Sequence, residues 1–297
     1  MTTITNILCP VDFSEFSRNA LDHAAAIARW YEARLTALHV LPPVTAFVAP
    51  TGEGLYPPLV FSDEDLRQFH DELTTFARQS GDARLGCEVA QGSVAGEIVR
   101  FADELPADLL VMGTHGRSGF DRLMLGSTTE KLLRKAPCPV LTVPARAPDA
   151  GPVRAPFTRV LCAVDFSPAS LRALALAESL AGEAAANLCV MHVLEPVSVF
   201  EPVATGPGTA PISGQRHHAV RRRLEELIAA DTRAFAEVGE VVAAGKPYRE
   251  ILRVAVEQRS DLIVLGVHGG PRGLAAFGST TNHVVREAEC PVLTART

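Results

Sequence analysis

Cys9-Pro-Val-Asp12-Phe-Ser14 returns as Cys162-Ala-Val-Asp165-Phe-Ser167, 153 residues further along a chain of 297. The same offset relates Leu38-His39-Val40 to Met191-His192-Val193, Gly92 to Gly245, Glu97-Ile98 to Glu250-Ile251 and Asp108-Leu109 to Asp261-Leu262. It holds through Gly113 and Gly116, which match Gly266 and Gly269; beyond them the offset is 152, with Gly126-Ser127-Thr128 on Gly278-Ser279-Thr280 and Cys138-Pro-Val on Cys290-Pro-Val. One residue has been lost between Gly269 and Gly278. A register kept over most of both halves means duplication, and so two domains of ordinary size rather than one large core. The proline- and glycine-rich stretch 144–156 excludes regular structure. The expected domains are therefore 1–145 and 157–297, with a linker at 146–156.

Within the first half, apolar runs alternate with helical patterns. Strands are expected at Ile4–Val11, Arg34–Leu41, Leu85–Val89, Leu109–Met112 and Val140–Val143. Helices are expected at Ser17–Tyr31, with Ser14 as its cap, and at Asp63–Ser80, Ala95–Glu104 and Ser127–Lys135. That alternation implies an α/β domain with a parallel sheet, right-handed crossovers and helices on both faces. Ligands of such sheets bind beyond the C-terminal strand ends, at the topological switch point.

The net charge of −6 lacks the basic footprint of a nucleic-acid binder, and no segment has the unbroken apolar length of a membrane span. A soluble cytoplasmic protein is the expectation. The six cysteines form no Cys-x-x-Cys pair and have no closely spaced histidine pair beside them, so buried thiols are expected rather than zinc.

Two strand ends carry the chemistry. The first ends in Asp12; the fourth ends in Gly113-Thr-His-Gly116, followed by Gly126-Ser127 at a helix start. Glycines at 113, 116 and 126 would let backbone N–H groups approach an anion. The helix starting near Ser127 adds free N–H groups and the positive end of its dipole. A carboxylate such as Asp12 suits the ribose hydroxyls at the other end of a nucleotide. The bland alternative makes Asp12 a helix cap and the glycines tight turns.

The pattern Gly113-x2-Gly116-x9-Gly126-Ser127, preceded by Val11-Asp12-Phe-Ser14 and followed by Cys138-Pro139-Val140, resembles the universal stress protein family, twice over. The resemblance implies tandem doubly wound, Rossmann-like sheets of five parallel strands in the order 3-2-1-4-5, flanked by helices. It also implies bound ATP, with Mg²⁺ or Mn²⁺ on the phosphates and no metal held by protein side chains. On this pattern Asp12 holds the ribose while Pro10, Val11 and Val40 line the adenine pocket. Met112, Gly113, His115 and Gly116 lie along the ribose and phosphates, and Gly126, Ser127 and Thr128 hold the phosphates. Arg117 is added either as a phosphate counter-charge or as an exposed, solvated arginine.

The second half offers Ala163, Val164, Asp165, Val193, Leu265, Gly266, His268, Gly269, Gly278, Ser279 and Thr280 at matching positions. It departs from the family in its shortened loop, so the first site is the more dependable expectation.

Several features admit two readings. His39 and His192 recur at a strand end, where a structural role outweighs metal binding for want of a second ligand at suitable spacing. Arg216-His-His218 and Arg221-Arg-Arg223 form a basic run, better read as a solvated helix face than as a nucleic-acid surface. Segments 42–61 and 196–214 leave lids, partner surfaces and plain connections all open. The resemblance implies pairing of the two domains through their last strands, with further assembly as a homodimer. The expected role is a stress-response regulator whose nucleotide occupancy alters conformation or partner choice, not an enzyme. The alternatives are a weak ATPase and a binder of another small or apolar ligand in the same cleft.

Overall fold

The computed structural model describes residues 4–43, 47–48, 55–56, 61–81, 84–115, 125–145, 153, 157–195, 212–228, 232, 237–267 and 278–296. The chain divides into two compact units, 3–155 and 156–297. In the first, β1 (Asn6–Pro10) leads through α1 (Glu15–Tyr31) to β2 (Arg34–Leu41). A two-residue pair, β3 (Phe47–Val48) and β4 (Leu55–Tyr56), falls in the long connection, where no strand was expected. There follow α2 (Asp63–Arg78), β5 (Leu85–Gln91), α3 (Val94–Glu104), β6 (Leu109–Gly113), α4 (Ser127–Lys135) and β7 (Val140–Val143). The second unit repeats the series as β8 (Arg159–Ala163), α5 (Pro168–Ala184), β9 (Asn187–Leu194), α6 (Ile212–Leu227), β10 (Val238–Ala244), α7 (Pro247–Glu257), β11 (Leu262–Val267), α8 (Ser279–Glu287) and β12 (Val292–Arg296).

All main-sheet pairings within each unit are parallel. The first runs β5-β2-β1-β6-β7 and the second β10-β9-β8-β11-β12, which is 3-2-1-4-5 in each unit's own strand numbering. Strands β6 and β7 are buried at every residue, as a sheet covered on both sides requires. Leu8, Leu38, Leu110 and Leu141 are fully buried in the first unit, and burying each such side chain contributes about 1.5–3 kcal/mol. The helices following β1 and β8 present alanine to the sheet, at Ala20, Ala24, Ala25 and Ala28 in α1 and at Ala169, Ala173, Ala177 and Ala181 in α5. Small side chains bring these helices close to the strands. Ser14 and Ser167 cap them, accepting from the backbone N–H groups of Ser17 and Ser170.

At the opposite end from the strand C-termini, a carboxylate clips β6 to β1. Asp108 Oδ2 accepts from the Thr5 amide at 2.7 Å, the Thr5 hydroxyl at 2.6 Å and the Asn6 amide at 3.0 Å. Asp261 repeats this clip with Thr158 and Arg159. Burial pushes the Asp108 pKa up, but the donors outweigh it and hold the carboxyl below its ordinary value. All six cysteines are free thiols. Burial raises the pKa of Cys9 and Cys162, pushes Cys138 and Cys290 to about 12 and Cys189 to about 11. Such thiols act as small hydrophobes, not nucleophiles. No helix among the described residues is long and apolar enough to cross a membrane.

Gly113 ends β6 beneath the first turn of α1. A Cβ there would stand 2.9 Å from Phe16 Cβ and 3.1 Å from the Phe16 backbone; at Gly266 it would stand 2.4 Å from the Ser170 amide nitrogen. Both glycines are therefore required by helix–strand packing. Gly266→Ala pushes on backbone alone and should cost about 1–3 kcal/mol, more than Gly113→Ala, as measured by denaturant unfolding. Equal stability of Gly266→Ala and wild type would refute this packing constraint. Asp108→Asn should lower stability near neutral pH. Because the folded pKa is depressed, that loss should shrink as pH falls below about 4, where the wild-type carboxylate also takes up its proton; melting curves from pH 7 to pH 3 measure the convergence.

Candidate functional site

The strands β1 and β6 are neighbours, in register at Ile7 with Leu109, and their connections leave in opposite directions across the sheet. Their C-terminal ends form the switch point.

On the β1 side, Asp12 starts a tight turn. Its Oδ1 accepts from the Ser14 amide at 3.1 Å and the Ser14 hydroxyl at 2.5 Å, while Ser14 Oγ accepts from the Ser17 amide. Asp12 is thus not the helix cap; it holds the serine that is. Asp165 does the same for Ser167, at 3.0 and 2.5 Å. Between carboxylate and serine, Phe13 has φ 64° and Phe166 φ 63°. A bulky residue in the left-handed region stores about 1–3 kcal/mol and persists only when its surroundings hold it there. The holding group is histidine. His39 Nδ1 donates to the Val11 carbonyl at 2.7 Å and its ring lies 4.6 Å from that of Phe13; His192 donates to Val164 at 2.7 Å and lies 4.8 Å from Phe166. These histidines brace the turn, in line with the structural reading of them.

On the β6 side, Thr114 bridges two neighbours. Its amide donates to the Val143 carbonyl at 3.1 Å, and its own carbonyl accepts from the Gly126 amide at 3.1 Å. Gly126 precedes α4, and no side chain caps that helix. Ser127 is exposed and Thr128 half-buried at its first positions, so the first-turn N–H groups face outward with the positive end of the helix dipole. Thr129, one residue beyond the expected set, is buried and donates through Oγ1 to the Gly113 carbonyl at 3.1 Å. This bond pins the helix start onto the strand end. The recurrence of Gly-Ser-Thr-Thr at 126–129 and 278–281 was the signal that could have found it.

His115 sits in the same corner. Its Nδ1 shares a 3.0 Å hydrogen bond with the Thr114 hydroxyl and its ring lies 5.3 Å from that of Phe16, while its Nε2 is buried with no partner among the described residues. A buried imidazole nitrogen left unpaired costs about 1–3 kcal/mol unless a ligand atom meets it.

The other expected residues divide by burial. Val11, Val40 and Met112 have their side chains in the core, as do Val164 and Leu265, so what these positions offer at the strand ends is mainly backbone. Pro10, Ala163 and Val193 are half-buried at the strand ends. Gly113 and Gly266 are in addition required by packing, a task that the sequence pattern did not show. Gly116, Arg117, His268 and Gly269, with the shortened loop itself, lie outside the described residues. The second cradle is looser where it is described. Thr281 Oγ1 reaches the Gly266 carbonyl at 3.4 Å, and a Cβ on Gly278 would meet nothing nearer than 3.9 Å, against 3.3 Å on Gly126. Gly278, Ser279 and Thr280 otherwise repeat the uncapped helix start.

A family model described as the universal stress protein family matches residues 3–144 and again 156–296. Universal stress protein MJ0531 of Methanocaldococcus jannaschii is 36% identical over 138 residues, 46% of this chain and 80% of that protein. Universal stress protein Rv2005c of Mycobacterium tuberculosis is 29% identical in an alignment covering 98% of this chain and 96% of its own. Among solved structures, a universal stress protein from Archaeoglobus fulgidus shares the fold, with a TM-score of 0.66 over 98% of each chain at 21% identity. With its domain matched twice and relatives aligned from end to end, the chain belongs to the universal stress protein family.

Proposed function

We propose that the protein binds ATP at the β1–β6 switch point of its first domain, and of its second with a looser cradle, as a cytoplasmic stress-response regulator. The observation that carries this reading is the start of α4. An uncapped helix N-terminus is held over the end of β6 by Gly126 and Thr129, beside a buried His115 Nε2 that has no partner among the described residues. A polyphosphate supplies the acceptors these groups lack. One strand away, the Asp12 turn offers a carboxylate to the ribose hydroxyls. Ser127 and Thr128 add hydroxyl donors, and Arg117 a counter-charge. A divalent ion, Mg²⁺ or Mn²⁺, would ride on the phosphates and neutralise part of their charge.

We read the role as binding, not turnover. The sequence has no Walker-A lysine, and the helix-start amides and hydroxyls suit holding phosphates. Hydrolysis faster than about one turnover per minute, slow against ordinary enzymes, and lost on substitution of Ser127, would replace this reading with the ATPase alternative. In the regulatory reading, nucleotide occupancy alters the conformation of the protein or its choice of partner.

Thermal unfolding tests the proposal. ATP with Mg²⁺ at about one hundred times its dissociation constant stabilises by about 2.7 kcal/mol, which raises the melting temperature by about 5–10 °C. No shift at millimolar ATP is the negative outcome. Ser127→Asp together with Ser279→Asp should leave the unliganded melting point equal or higher, because a carboxylate suits a helix N-terminus. The same variant should lose the ATP shift by repelling phosphate. A full shift in this variant would place the nucleotide elsewhere.

A further inference from the structure

Thr114 and His115 follow β6 and lie against the start of α4. A Cβ on Gly126, the residue before that helix, would stand 3.3 Å from the Thr114 carbonyl oxygen and 3.7 Å from His115 Cα. Two backbone bonds hold this corner, from the Thr114 amide to Val143 and from the Gly126 amide to the Thr114 carbonyl. The Thr114 side chain takes no part in either. It is buried, and its hydroxyl meets one partner among the described residues, His115 Nδ1 at 3.0 Å.

The direction of that bond follows from counting protons. A buried hydroxyl carries a proton that needs an acceptor, and Nδ1 is the acceptor in place. If the hydroxyl donates, Nδ1 carries no proton and the neutral ring holds its proton on Nε2. One buried group, the Nε2–H donor, is then left for a ligand to meet. If Nδ1 donates instead, both the hydroxyl proton and the Nε2 lone pair go unmet. The first arrangement leaves fewer buried polar groups unpaired, so it is favoured. It also gives Nε2 the polarity that a phosphate oxygen requires.

The second domain is built differently at this point. By the offset of 153, Val267 stands where Thr114 does and precedes His268, and Ala169 stands where Phe16 does. Phe16 is the residue whose ring lies 5.3 Å from that of His115. Val267 is as deeply buried as Thr114, each with 3% of its surface exposed. A methyl group therefore satisfies packing at this strand end. The hydroxyl of the first domain meets a need that packing does not impose.

We infer that Thr114 is a positioning residue of the first nucleotide site. Its hydroxyl donates to His115 Nδ1 and so fixes the tautomer that offers Nε2–H to a phosphate oxygen. The inference rests on the nucleotide reading for its ligand, while the tautomer is a property of the unliganded chain.

Two measurements on the full chain test it. Histidine side-chain nitrogen–proton correlation spectra of the unliganded protein read the tautomer, at about pH 8, above the ordinary histidine range. His115 is identified by the signal missing from His115→Gln. The wild type should show Nδ1 unprotonated and Nε2 protonated, and Thr114→Val should move His115 toward a mixture of tautomers. ATP titration is made in a Ser279→Asp background, where a carboxylate repels phosphate from the second cradle. There Thr114→Val should weaken ATP binding about three- to tenfold, the net worth of one hydrogen bond. Thr114→Ser, which keeps the hydroxyl, should restore both tautomer and affinity. In a His115→Gln chain, adding Thr114→Val should weaken ATP binding no further. Thr114→Val leaves both backbone bonds in place, and melting curves confirm that it is folded. A wild-type His115 protonated on Nδ1 overturns the inference. So does a Thr114→Val loss that persists in full without His115, the additivity that a purely structural role would give. ATP bound equally with and without Thr114→Val overturns it and leaves the nucleotide reading standing. Loss of all ATP binding in Ser279→Asp alone, with the first site intact, removes the first-domain nucleotide reading and this inference together.

Discussion

In each domain a helix meets a strand with no room for a strand side chain at the contact. The first turn of α1 rests on Gly113, and that of α5 on Gly266, at distances a single Cβ would forbid. Much of the site geometry follows from this contact. It sets the turn carrying Asp12 directly above the end of the neighbouring strand, instead of a side-chain diameter away. The alanine face of α1 continues the same close packing down the sheet, so the helix cannot ride up to make room.

Around that contact the domain builds two rigid banks. On one, His39 braces the Val11 carbonyl and the Phe13 ring, which holds a strained turn and fixes the carboxylate before it. On the other, Thr114 and Thr129 tie the start of α4 to the ends of β6 and β7. The groups between the banks include first-turn amides, two hydroxyls and an imidazole nitrogen with no partner among the described residues. Such an arrangement is preorganised for an anion, because its dipoles are held by bonds made elsewhere and need not reorient when a ligand arrives.

Duplication kept the bonds and released the surfaces. The Asp–Ser turn, the histidine brace and the carboxylate clip recur in both halves within a few tenths of an ångström. What has changed lies outside this frame: the loop before the last helix is one residue shorter, the helix-to-strand threonine bond is longer, and the second helix has reversed its charge. A surface helix exchanges charge at small cost to the fold, so divergence has collected outside the bonded frame.

The strands, helices and domain division were legible in the sequence because apolar periodicity and a repeated register are local properties. The motif residues at 12, 113, 126 and 127 were legible as well. Their tasks were less so. Glycine at 113 reads as an opening for an anion, and the first turn of α1, nearly a hundred residues earlier, adds a packing requirement for it that no local pattern shows. Thr129 looks like one more helix residue until its hydroxyl is found on the Gly113 carbonyl, and the β3–β4 pair is too short to leave any periodicity. By itself the sequence determined the number of domains, their class and which strand ends carry the motif residues. Tertiary structure decided which atom each residue meets, because those contacts join positions whose separation along the chain carries no local signature.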